Sequence, residues 1–401
     1  MEIGIPLPQT VKIGIQKEIR ISSNRSRYIG FPNQDILHEV QYLDLLEGKI
    51  VDQNDQFQNI QDGFGSNHVF IPTENSDEEW LIVGSPQKDI DFFDEGAISI
   101  YLNGILQSSI YGTQAGKSIG NEFVLCPDID GDQIQDTIIG NSHSSLHDLE
   151  EGIVYLLPSK SYTETNVEFN DLVFVQGSQR AERFGFSMDC KWINMDVANS
   201  EDDGMSQGIK MVIGAPFASN EFETQGRISM YHATDIEKGS LIDLWGIEKD
   251  SWLGWDVALG DLNGDGYSEI YAGAPGENDG IGSIYVWDSS LILSEYPTLR
   301  ILPSIETERF GENFLIEDVD NDGLDDLIIG QKNAENQNGY RSGLVQMIHG
   351  QSGSIFETLS VVSRKTTVWD LDIEDAQIGK ELGILSIGQK NILVSTMVIT
   401  E

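Results

Sequence analysis

Basic residues are scarce in this chain. Only 24 lysines and arginines stand against 66 aspartates and glutamates, and the formal net charge is −42 at pH 7. Binding to nucleic acid depends on cations that neutralise phosphates, so this charge balance excludes a nucleic-acid-binding protein. The same balance disfavours binding to anionic membrane surfaces. The acidic excess is typical of a heavily solvated surface.

Cysteine is also rare, because Cys126 and Cys190 are the only two. Two cysteines form neither a disulfide framework nor a zinc site. Each follows the opening glycine of its unit by five or six residues, so we expect both to be small buried side chains on the same strand of neighbouring units. The stability of the protein should then come from packing and bound metal alone.

Long apolar runs are missing as well. Residues 1–8 contain no basic region followed by an apolar stretch, so no secretory signal peptide is visible. The longest apolar run near the other end, Ile392 to Ile399, is interrupted by Ser395 and Thr396 and is far too short to span a membrane. We expect either a protein that stays inside the cell or a segment of a longer chain.

Glycine, by contrast, is abundant. The chain has 41 glycines and 11 prolines, and 39% of its residues are hydrophobic, which is enough for a globular core. No segment shows a long 3.6-residue periodicity of the kind that marks helices. This composition predicts a turn-rich, mostly β protein.

A unit of four parts recurs along the chain. It opens with an aromatic or aliphatic residue followed by glycine, at Phe64-Gly65, Ile119-Gly120, Phe184-Gly185, Leu253-Gly254 and Phe310-Gly311. A polar or acidic loop follows, and then an apolar strand that ends in a glycine, namely Gly84, Gly140, Gly214, Gly273 or Gly330. A second glycine starts an alternating strand, at Gly96, Gly152, Gly226, Gly282 or Gly343. Self-similarity of this kind predicts a repeat architecture.

The hydrophobic pattern of the unit predicts its strands. The first apolar run is continuous, as in a strand that is covered on both faces. The run after the second glycine alternates, with Ile98 and Ile100 on one face and Ser99 and Tyr101 on the other, which predicts a half-buried strand. The glycines are expected to adopt positive φ at hairpins and to let neighbouring units approach closely.

These patterns predict an all-β propeller formed by a single domain over residues 1–401. Clear repeats occupy residues 61–350, a partial or divergent blade lies in 1–60, and a divergent last blade lies in 351–401. A degraded copy of the unit begins at Trp369 and stops after its third strand. We expect residues from the amino terminus to complete it, which removes free sheet edges and gives seven four-stranded blades, with six or eight as the alternatives.

Three stretches place oxygen-bearing side chains at positions 1, 3, 5 and 9 of one grid. We call them loop 1 (residues 128–136), loop 2 (261–269) and loop 3 (318–326). This spacing lets a tight loop wrap a hard cation in side-chain oxygens, with a backbone carbonyl added at position 7. The predicted ligands are Asp128, Asp130, Asp132, Ile134 and Asp136 in loop 1, Asp261, Asn263, Asp265, Tyr267 and Glu269 in loop 2, and Asp318, Asp320, Asp322, Leu324 and Asp326 in loop 3.

The same grid argues against the nearest alternatives. An EF-hand needs a bidentate glutamate at position 12, whereas these loops have Ile139, Ala272 and Ile329 there, within apolar strands. A cage rich in protein oxygens also suits calcium better than magnesium. We therefore predict about three Ca²⁺ sites. Their role is mainly structural, since the ion offsets the repulsion among carboxylates of one loop.

A family resemblance rests on these motifs. The Phe-Gly openings, the Gly-Ala-Pro of residues 214–216 and 273–275, and the acidic loops resemble FG-GAP repeats, which build the seven-bladed propeller of integrin alpha chains and of many bacterial surface proteins. The resemblance is clear over residues 60–350. It implies calcium at the three loops, an extracellular or cell-surface location, and a role in adhesion or protein binding. The units that open at Phe64 and Phe184 lack the acidic grid, so the resemblance assigns them no metal.

The enzyme-like motifs do not fit an enzyme. Residues 116–120 match the G-x-S-x-G nucleophile elbow, but a strand is expected where that motif requires a helix. Residues 112–118 miss the phosphate-binding P-loop by one position. His143 and His147 lie four apart in a loop, without a His-Glu-x-x-His pattern. We therefore predict a protein that is not an enzyme.

The expected partner is a protein ligand or a cell-surface partner, with a glycan as the second choice. The alternative functions are a lectin-type propeller that binds carbohydrate and a propeller enzyme that resembles a polysaccharide lyase. We expect the ligand face opposite the metal loops, with Phe92, Phe93 and Phe217 as candidate contacts. An aromatic platform repeated at one position of every blade would favour the lectin.

Overall fold

The structure is a computed structural model. It describes residues 11–13, 17–19, 27–29, 41–44, 49–52, 67–72, 79–89, 94–112, 118–144, 149–164, 167, 169, 172–194, 207–288, 295–303, 307–335, 341, 343–353, 366–370, 382–387 and 390–395. The chain divides into two compact units. Unit 1 comprises Met1–Asn121, Tyr162–Phe169 and Ile384–Val394, and unit 2 comprises Glu122–Ser161, Asn170–Gly383 and Ser395–Glu401.

The first nine strands all lie in unit 1. They are β1 (Val11–Ile13), β2 (Lys17–Ile19), β3 (Arg27–Ile29), β4 (Gln41–Asp44), β5 (Lys49–Asp52), β6 (His68–Pro72), β7 (Glu79–Ser85), β8 (Ala97–Leu102) and β9 (Ile105–Tyr111). The first two strands form a two-stranded sheet and the next three form a three-stranded sheet. The last four form a four-stranded antiparallel sheet, which we call blade 1.

Four consecutive four-stranded antiparallel sheets form most of unit 2. Blade 2 contains β10 (Glu122–Cys126), β11 (Asp136–Asn141), β12 (Ile153–Leu157) and β13 (Val173–Gln176). Blade 3 contains β14 (Met188–Asn194), β15 (Gln207–Ala215), β16 (Arg227–His232) and β17 (Ile242–Trp245). Blade 4 contains β18 (Val257–Gly260), β19 (Glu269–Ala274), β20 (Ser283–Trp287) and β21 (Leu299–Ile301). Blade 5 contains β22 (Asn313–Glu317), β23 (Asp326–Gln331), β24 (Leu344–Ile348) and β25 (Thr366–Asp370).

The remaining elements are short. The strands β26 (Leu382–Ile387) and β27 (Lys390–Ser395) form a two-stranded sheet of their own. Within the described residues, two 3₁₀ helices span Ser159–Thr163 and Ala233–Lys238, and one helical turn spans Glu277–Gly280. None of the helices in the described residues is long and apolar enough to cross a membrane.

The predicted all-β propeller is confirmed at the level of its blades. Each four-stranded sheet runs through its strands in chain order, and each opening pair that the structure describes directly precedes the first strand of a blade. The pair Phe64-Gly65 lies outside the described residues. Seven blades, closure by strands from both termini and a single domain over 1–401 stay predictions.

The hydrophobic core of unit 2 lies between successive blades. One cluster joins blades 2 and 3 and includes Ile138, Met188 and Ile213. Corresponding clusters join blades 3 and 4 and blades 4 and 5. Every residue of β11, β19 and β23 is buried, as the continuous apolar runs predict.

The predicted half-burial of the third strand is wrong for blades 3 and 4. Five of the six residues of β16 and all five of β20 are buried. Tyr285 and Trp287, which an alternating pattern would place on a different face from their neighbours, are 0% and 1% exposed. The reason is that neighbouring blades cover both faces of these strands, so a residue on either face is removed from water.

Glycine lets the blades approach each other, as predicted. A Cβ atom on Gly214 of blade 3 would lie 2.1 Å from the carbonyl oxygen of Gly254, which opens blade 4. Gly226 has a φ of 77° and forms a parallel bridge with Leu253, the other opening residue. Residues with a side chain could occupy neither position without displacing backbone.

The expectation of two separate cysteines is wrong, because Cys126 and Cys190 form a disulfide bond. Their Cα atoms are 5.0 Å apart. Cys126 ends β10 and Cys190 lies in β14, so the bond joins the first strands of blades 2 and 3. Equivalent strands of adjacent blades pack side by side, which brings two residues far apart in sequence within bonding distance. Both residues are buried, as predicted.

The predicted start of the last blade at Trp369 is also wrong. Trp369 lies in β25 and is paired with Val345 of β24, so it belongs to the fourth strand of blade 5. A long segment separates these two strands in the sequence. Because the strands are far apart in the sequence, the repeat pattern alone does not predict that they pair.

Candidate metal-binding loops and an aromatic surface

Each acidic loop joins the first two strands of a blade. Loop 1 connects β10 to β11, loop 2 connects β18 to β19, and loop 3 connects β22 to β23. Position 9 of every loop is the first residue of the second strand and has 0% exposure, namely Asp136, Glu269 and Asp326. The strand therefore holds one carboxylate rigidly at the base of each loop.

The carboxylate at position 1 organises the backbone of its own loop. In loop 1, Asp128 accepts hydrogen bonds from the N–H groups of Gly131 at 2.6 Å and Gln133 at 2.7 Å. Asp261 accepts from Gly264 at 2.7 Å and Gly266 at 2.9 Å in loop 2. The third loop repeats part of this pattern.

In loop 3, Asp318 accepts from Asp322 at 3.1 Å and from Gly323 at 3.0 Å. Position 5 makes a second common contact, since its carboxylate accepts from the N–H of position 7 in all three loops. The distances are 2.8 Å for Asp132 and Ile134, 2.9 Å for Asp265 and Tyr267, and 3.0 Å for Asp322 and Leu324. The three loops thus share one fold, set by side-chain acceptors of local backbone donors.

Positions 4 and 6 of each loop adopt a left-handed backbone. The residues and φ values are Gly131 (86°), Gln133 (71°), Gly264 (68°), Gly266 (87°), Asn321 (59°) and Gly323 (91°). Glycine and asparagine tolerate this conformation, whereas glutamine does so only with strain. Loop 1 therefore carries local strain at Gln133 that loops 2 and 3 avoid.

Most of the predicted ligands converge. Within each of the following sets, one ligand atom per residue lies within 4.8 Å of the others: Asp128, Asp130 and Asp136; Asp261, Asp265 and Glu269; Asp318, Asp320 and Asp322. Asn263 is 1% exposed and its amide donates to Glu269 at 2.8 Å, which places it in the same cluster. The donor sets contain oxygen only and fit a hard cation.

Two predicted ligands stand apart from these sets. Asp132 instead accepts a hydrogen bond from the Ser159 hydroxyl at 2.8 Å. Asp326 groups with Asp320 and with His349, a residue outside the grid. The carbonyl groups of Ile134, Tyr267 and Leu324 stay predicted ligands.

Burial raises the pKa of the carboxyl groups at position 9. The pKa of Glu269 is raised to about 9, mainly by burial and further by the charges of Asp261 and Asp265. Burial also raises the pKa of Asp136 and Asp326, although backbone N–H donors partly counteract it. A divalent cation beside these groups would lower the pKa values again, so cation binding would be coupled to proton release.

The turn after the third strand adds residues that the grid does not contain. Ser159 follows β12, and its backbone N–H donates to Asp136 at 2.6 Å. His349 follows β24 beside loop 3, and buried Asp288 follows β20, where its charge acts on Asp265. Sequence reasoning missed all three. The strand register could have pointed to them. The last residue of each third strand pairs with the residue after position 9, so the residues that follow it lie beside the loop; these last residues are Leu157, Trp287 and Ile348.

The corresponding segments of blades 1 and 3 lie largely outside the described residues. These are residues 73–78 and 195–206, to which the sequence assigns no metal.

Loop 2 makes hydrogen bonds with segments of both adjacent blades. Its Ser268 donates to the carbonyl of Asn194 at 3.1 Å, and the carbonyl of Asn263 accepts from Gly353 at 3.0 Å.

Four aromatic rings cluster at the other end of blades 3 and 4. Phe186 and Trp255 follow the opening glycines, Phe217 follows Gly214-Ala215-Pro216, and Trp252 precedes the opening pair of blade 4. The ring centroids are 4.9 Å apart for Phe186 and Trp255 and 5.8 Å for the two tryptophans. Phe217 lies 6.1 Å from Trp255. All four side chains are half-buried, so part of this aromatic surface faces solvent.

Two arginines flank the aromatic surface. The Arg309 guanidinium lies 4.7 Å from the Trp255 ring centroid and 5.6 Å from that of Trp252. Arg183 lies 5.4 Å from the Phe217 centroid. Each arginine also pairs with a carboxylate, Glu312 at 3.1 Å and Glu150 at 3.2 Å respectively. The predicted contact Phe217 therefore belongs to a polar-rimmed cluster, while Phe92 and Phe93 lie outside the described residues.

A strand follows the enzyme-like G-x-S-x-G match, as the sequence predicts. Strand β10 begins at Glu122, directly after the G-x-S-x-G match, so a strand stands where a nucleophile elbow requires a helix. His143 is half-buried and lies 3.4 Å from the Ser142 hydroxyl through its Nδ1 atom. His147 lies outside the described residues.

With these loops and blades in view, the fold is that of a β-propeller with acidic hairpin loops. Residues 253–287, which run from the opening of blade 4 to the end of β20, match the FG-GAP repeat family. The chain is similar to integrin alpha chains. The resemblance predicted from its motifs is confirmed.

The similarity to integrins is moderate and partial. The chain is 29% identical over 153 residues to integrin alpha-5 of Xenopus laevis, covering 36% of this chain and 14% of that one. It is 29% identical over 177 residues to human integrin alpha-8, covering 41% and 16%. It is 33% identical over 113 residues to integrin alpha-PS2 of Drosophila melanogaster, covering 27% of this chain and 8% of that one. The matched region thus spans less than a fifth of these relatives.

One solved structure, titled "Structure of Dos1 propeller", aligns with 94% of this chain and 75% of its own. The TM-score is 0.48 and the sequence identity is 12%.

Proposed function

We propose that this chain is a non-enzymatic, calcium-stabilised propeller that binds a protein ligand in adhesion, in the manner that its integrin alpha-like resemblance implies. The observation that carries the proposal is the common geometry of the three loops. Each gathers carboxylate oxygens within 4.8 Å of one another on a backbone organised by its position 1 acid. Such a hairpin suits Ca²⁺, which takes six to eight oxygen ligands in a flexible arrangement.

Calcium would act on the stability of the blades. Each loop crowds several carboxylates at the tip of a hairpin, and two unit charges about 4 Å apart repel by roughly 1 kcal/mol even in water. A bound cation offsets this repulsion and joins the first two strands of the blade. We propose one Ca²⁺ in each loop, held by the ligands that the grid assigns.

The test is to count the ions by isothermal titration calorimetry of the metal-free protein. We expect about three Ca²⁺ per chain. Asp130→Asn, Asp265→Asn and Asp322→Asn each change one charged donor of a converging set with little change in shape, and each should remove or weaken one site. Glu237→Gln, at an exposed position outside the loops, is the matched control. Unchanged stoichiometry and affinity in all three loop variants would refute calcium binding by these loops.

The ligand surface that we propose is the aromatic cluster of Phe186, Phe217, Trp252 and Trp255. It lies at the ends of blades 3 and 4 opposite the loop ends, where the sequence led us to expect the ligand. Half-buried aromatic rings next to arginine are enriched where proteins bind other proteins. A lectin is less well supported, because blades 2 and 5 have Asn121 and Glu312 where blades 3 and 4 have Phe186 and Trp255.

An array of protein ligands and glycans, probed with calcium and with a chelator, tests this surface. We expect binding to protein that is lost in the double variant Phe217→Ala, Trp255→Ala. Trp192→Ala is the matched control, since this tryptophan is 61% exposed and lies toward the other end of β14. Binding confined to glycans would favour the lectin, and turnover of a glycan would refute a non-enzymatic role.

We also propose an extracellular or cell-surface location. The buried disulfide between Cys126 and Cys190 supports it, because such bonds persist in oxidising compartments and are rare in the cytosol. Alkylation of the denatured protein taken directly from its source organism, followed by mass spectrometry, tests this point. Two alkylated cysteines without prior reduction would argue for a reducing compartment.

A further inference from the structure

Loop 3 differs from the other two loops by a histidine. The Nδ1 atom of His349 lies 3.1 Å from Oδ2 of Asp320 and 3.5 Å from Oδ1 of Asp326. One ligand atom from each of these three residues falls within 4.8 Å of the other two. The His349 side chain is only 13% exposed and that of Asp326 is 1% exposed. The imidazole is therefore packed against two carboxylates that the grid assigns to a cation.

The register of blade 5 explains this position. Ile348 of β24 pairs with Leu327 of β23, so the residue after Ile348 lies beside Asp326. The corresponding residues of blades 2 and 4 are Pro158 and Asp288, which follow Leu157 and Trp287. Of the three loops, only loop 3 has a nitrogen ligand in this place.

The donor set determines which ions suit the loop. Calcium takes oxygen ligands, whereas imidazole suits ions such as zinc, nickel or copper. Two ligand atoms at about 2.1 Å from a tetrahedral zinc ion stand roughly 3.4 Å apart. The imidazole nitrogen lies 3.1 Å and 3.5 Å from the two carboxylate oxygens, which is close to this spacing, and the shorter contact is a hydrogen bond with Asp320.

We propose that loop 3 is a mixed-donor site that takes a transition-metal dication such as Zn²⁺ through Asp320, Asp326 and His349. The inference rests on the proposed function, in that Zn²⁺ would compete with the Ca²⁺ proposed for loop 3. Asp320 also belongs to the all-oxygen set with Asp318 and Asp322. Zinc and calcium therefore share a ligand in loop 3 and compete for it, while loops 1 and 2 select calcium.

The experiment is a zinc titration of the full, metal-free chain by calorimetry, followed by a calcium titration of the same samples. We expect one zinc site in the wild type whose affinity falls at least about 10-fold in His349→Ala. His143→Ala, which removes a histidine outside the three loops, is the control and should leave zinc affinity unchanged. His349→Leu removes the nitrogen ligand without adding an oxygen donor and should lose zinc binding while it keeps calcium binding.

The outcomes separate this inference from the proposed function. Unchanged zinc affinity in His349→Ala, or calcium binding at all three loops without zinc binding, would overturn the mixed-donor site alone. Zinc binding that depends on His349, without calcium binding at any loop, would overturn the calcium proposal alone. X-ray absorption at the zinc edge gives a direct check, because a first shell made of oxygen only would refute a histidine ligand.

Discussion

Carboxylates occur at both ends of the first strands of the blades, but the two ends differ in their surroundings. At the loop end of β18, Asp261 and Asp265 converge with Glu269 around a common centre. At the opposite end, Asp256 accepts hydrogen bonds from its neighbour Val257 at 3.0 Å and from Phe314 of blade 5 at 2.8 Å. The first group suits a cation, whereas the second links two blades.

An acid of the same kind links blades 3 and 4. Asp189 of β14 accepts hydrogen bonds from Cys190 and from Leu259 of blade 4, both at 2.8 Å. Lys191 of the same strand donates to the carbonyls of Leu259 at 2.9 Å and Ile316 at 3.1 Å. Residue type alone therefore does not decide the role of an acid. Both groups accept backbone N–H groups, but the loop acids gather further carboxylates, whereas Asp189 and Asp256 accept N–H groups of the adjacent blade.

Removal of calcium should give the largest difference between the two ends. At a calcium concentration 100 times the dissociation constant, each proposed site would contribute about 2.7 kcal/mol to the free energy of unfolding. A chelator should therefore lower the melting temperature. It should also speed amide exchange in the three loops, with little change around Asp189 and Asp256. A melting temperature that is the same with calcium and with chelator would contradict the comparison.

Asp189→Ala should give the second-largest effect. It leaves the buried N–H of Leu259 without its acceptor, and an unsatisfied buried donor costs about 1–3 kcal/mol. We expect the free energy of unfolding from urea titration to fall by about 2 kcal/mol, equally with calcium and with chelator. The exposed acid Glu237 offers the control, since Glu237→Ala should change stability by less than about 0.5 kcal/mol. A loss that appears only with calcium would place Asp189 in the metal system instead.

Glu122→Gln should change stability in a pH-dependent way. Burial, together with the charge of Asp256, raises the pKa of Glu122 to about 8, above its usual value in an unfolded chain. The folded state therefore holds a proton that the unfolded state releases, and wild-type stability is lost as pH rises toward about 8. The variant should be more stable by about 1–2 kcal/mol near pH 8.5 and equal to wild type near pH 4. Denaturant titrations at both pH values measure this, and a pH-independent gain would exclude the shift as its cause.

Gln133→Gly should give the smallest effect. It relieves the strain of a φ of 71°, which costs a non-glycine residue about 1–2 kcal/mol, while glycine adds about 0.4–1 kcal/mol of unfolded-state entropy. We expect a net gain of about 0.5 kcal/mol in stability and slightly tighter calcium binding at loop 1. The reverse change in loop 3, Gly323→Gln, should have the opposite sign. Equal effects from both changes would mean that backbone strain is not what distinguishes the loops.

The frame of the blades could be predicted from sequence to a large extent. The openings at Phe184 and Leu253, the buried second strands and the glycines at the blade contacts all lie where the repeat places them. This worked because each feature is a local requirement. A strand covered on both faces needs a continuous apolar run. Gly214 admits no side chain, because its Cβ atom would lie 2.1 Å from a backbone oxygen.

The candidate sites were only partly predictable. The grid identified the acids of loops 1 to 3, because spacing along one tight loop determines which side chains can meet. It did not identify His349, Ser159 or the pairing of Cys126 with Cys190, since each of these depends on residues from different strands or blades. The aromatic surface was missed for the same reason, apart from Phe217. Three of its rings flank the opening pairs of blades 3 and 4 and the fourth follows β15, so they lie up to 69 positions apart, from Phe186 to Trp255.

The repeated strand pattern and the three acidic clusters can be inferred from the order of residues over a few positions. Which acids face a common centre, which acids link blades, and where the histidine, the disulfide and the aromatic surface lie became visible in the folded chain, because these features depend on contacts across strands and between blades. Such contacts are set by strand register and blade packing, over distances in the chain that local spacing does not encode.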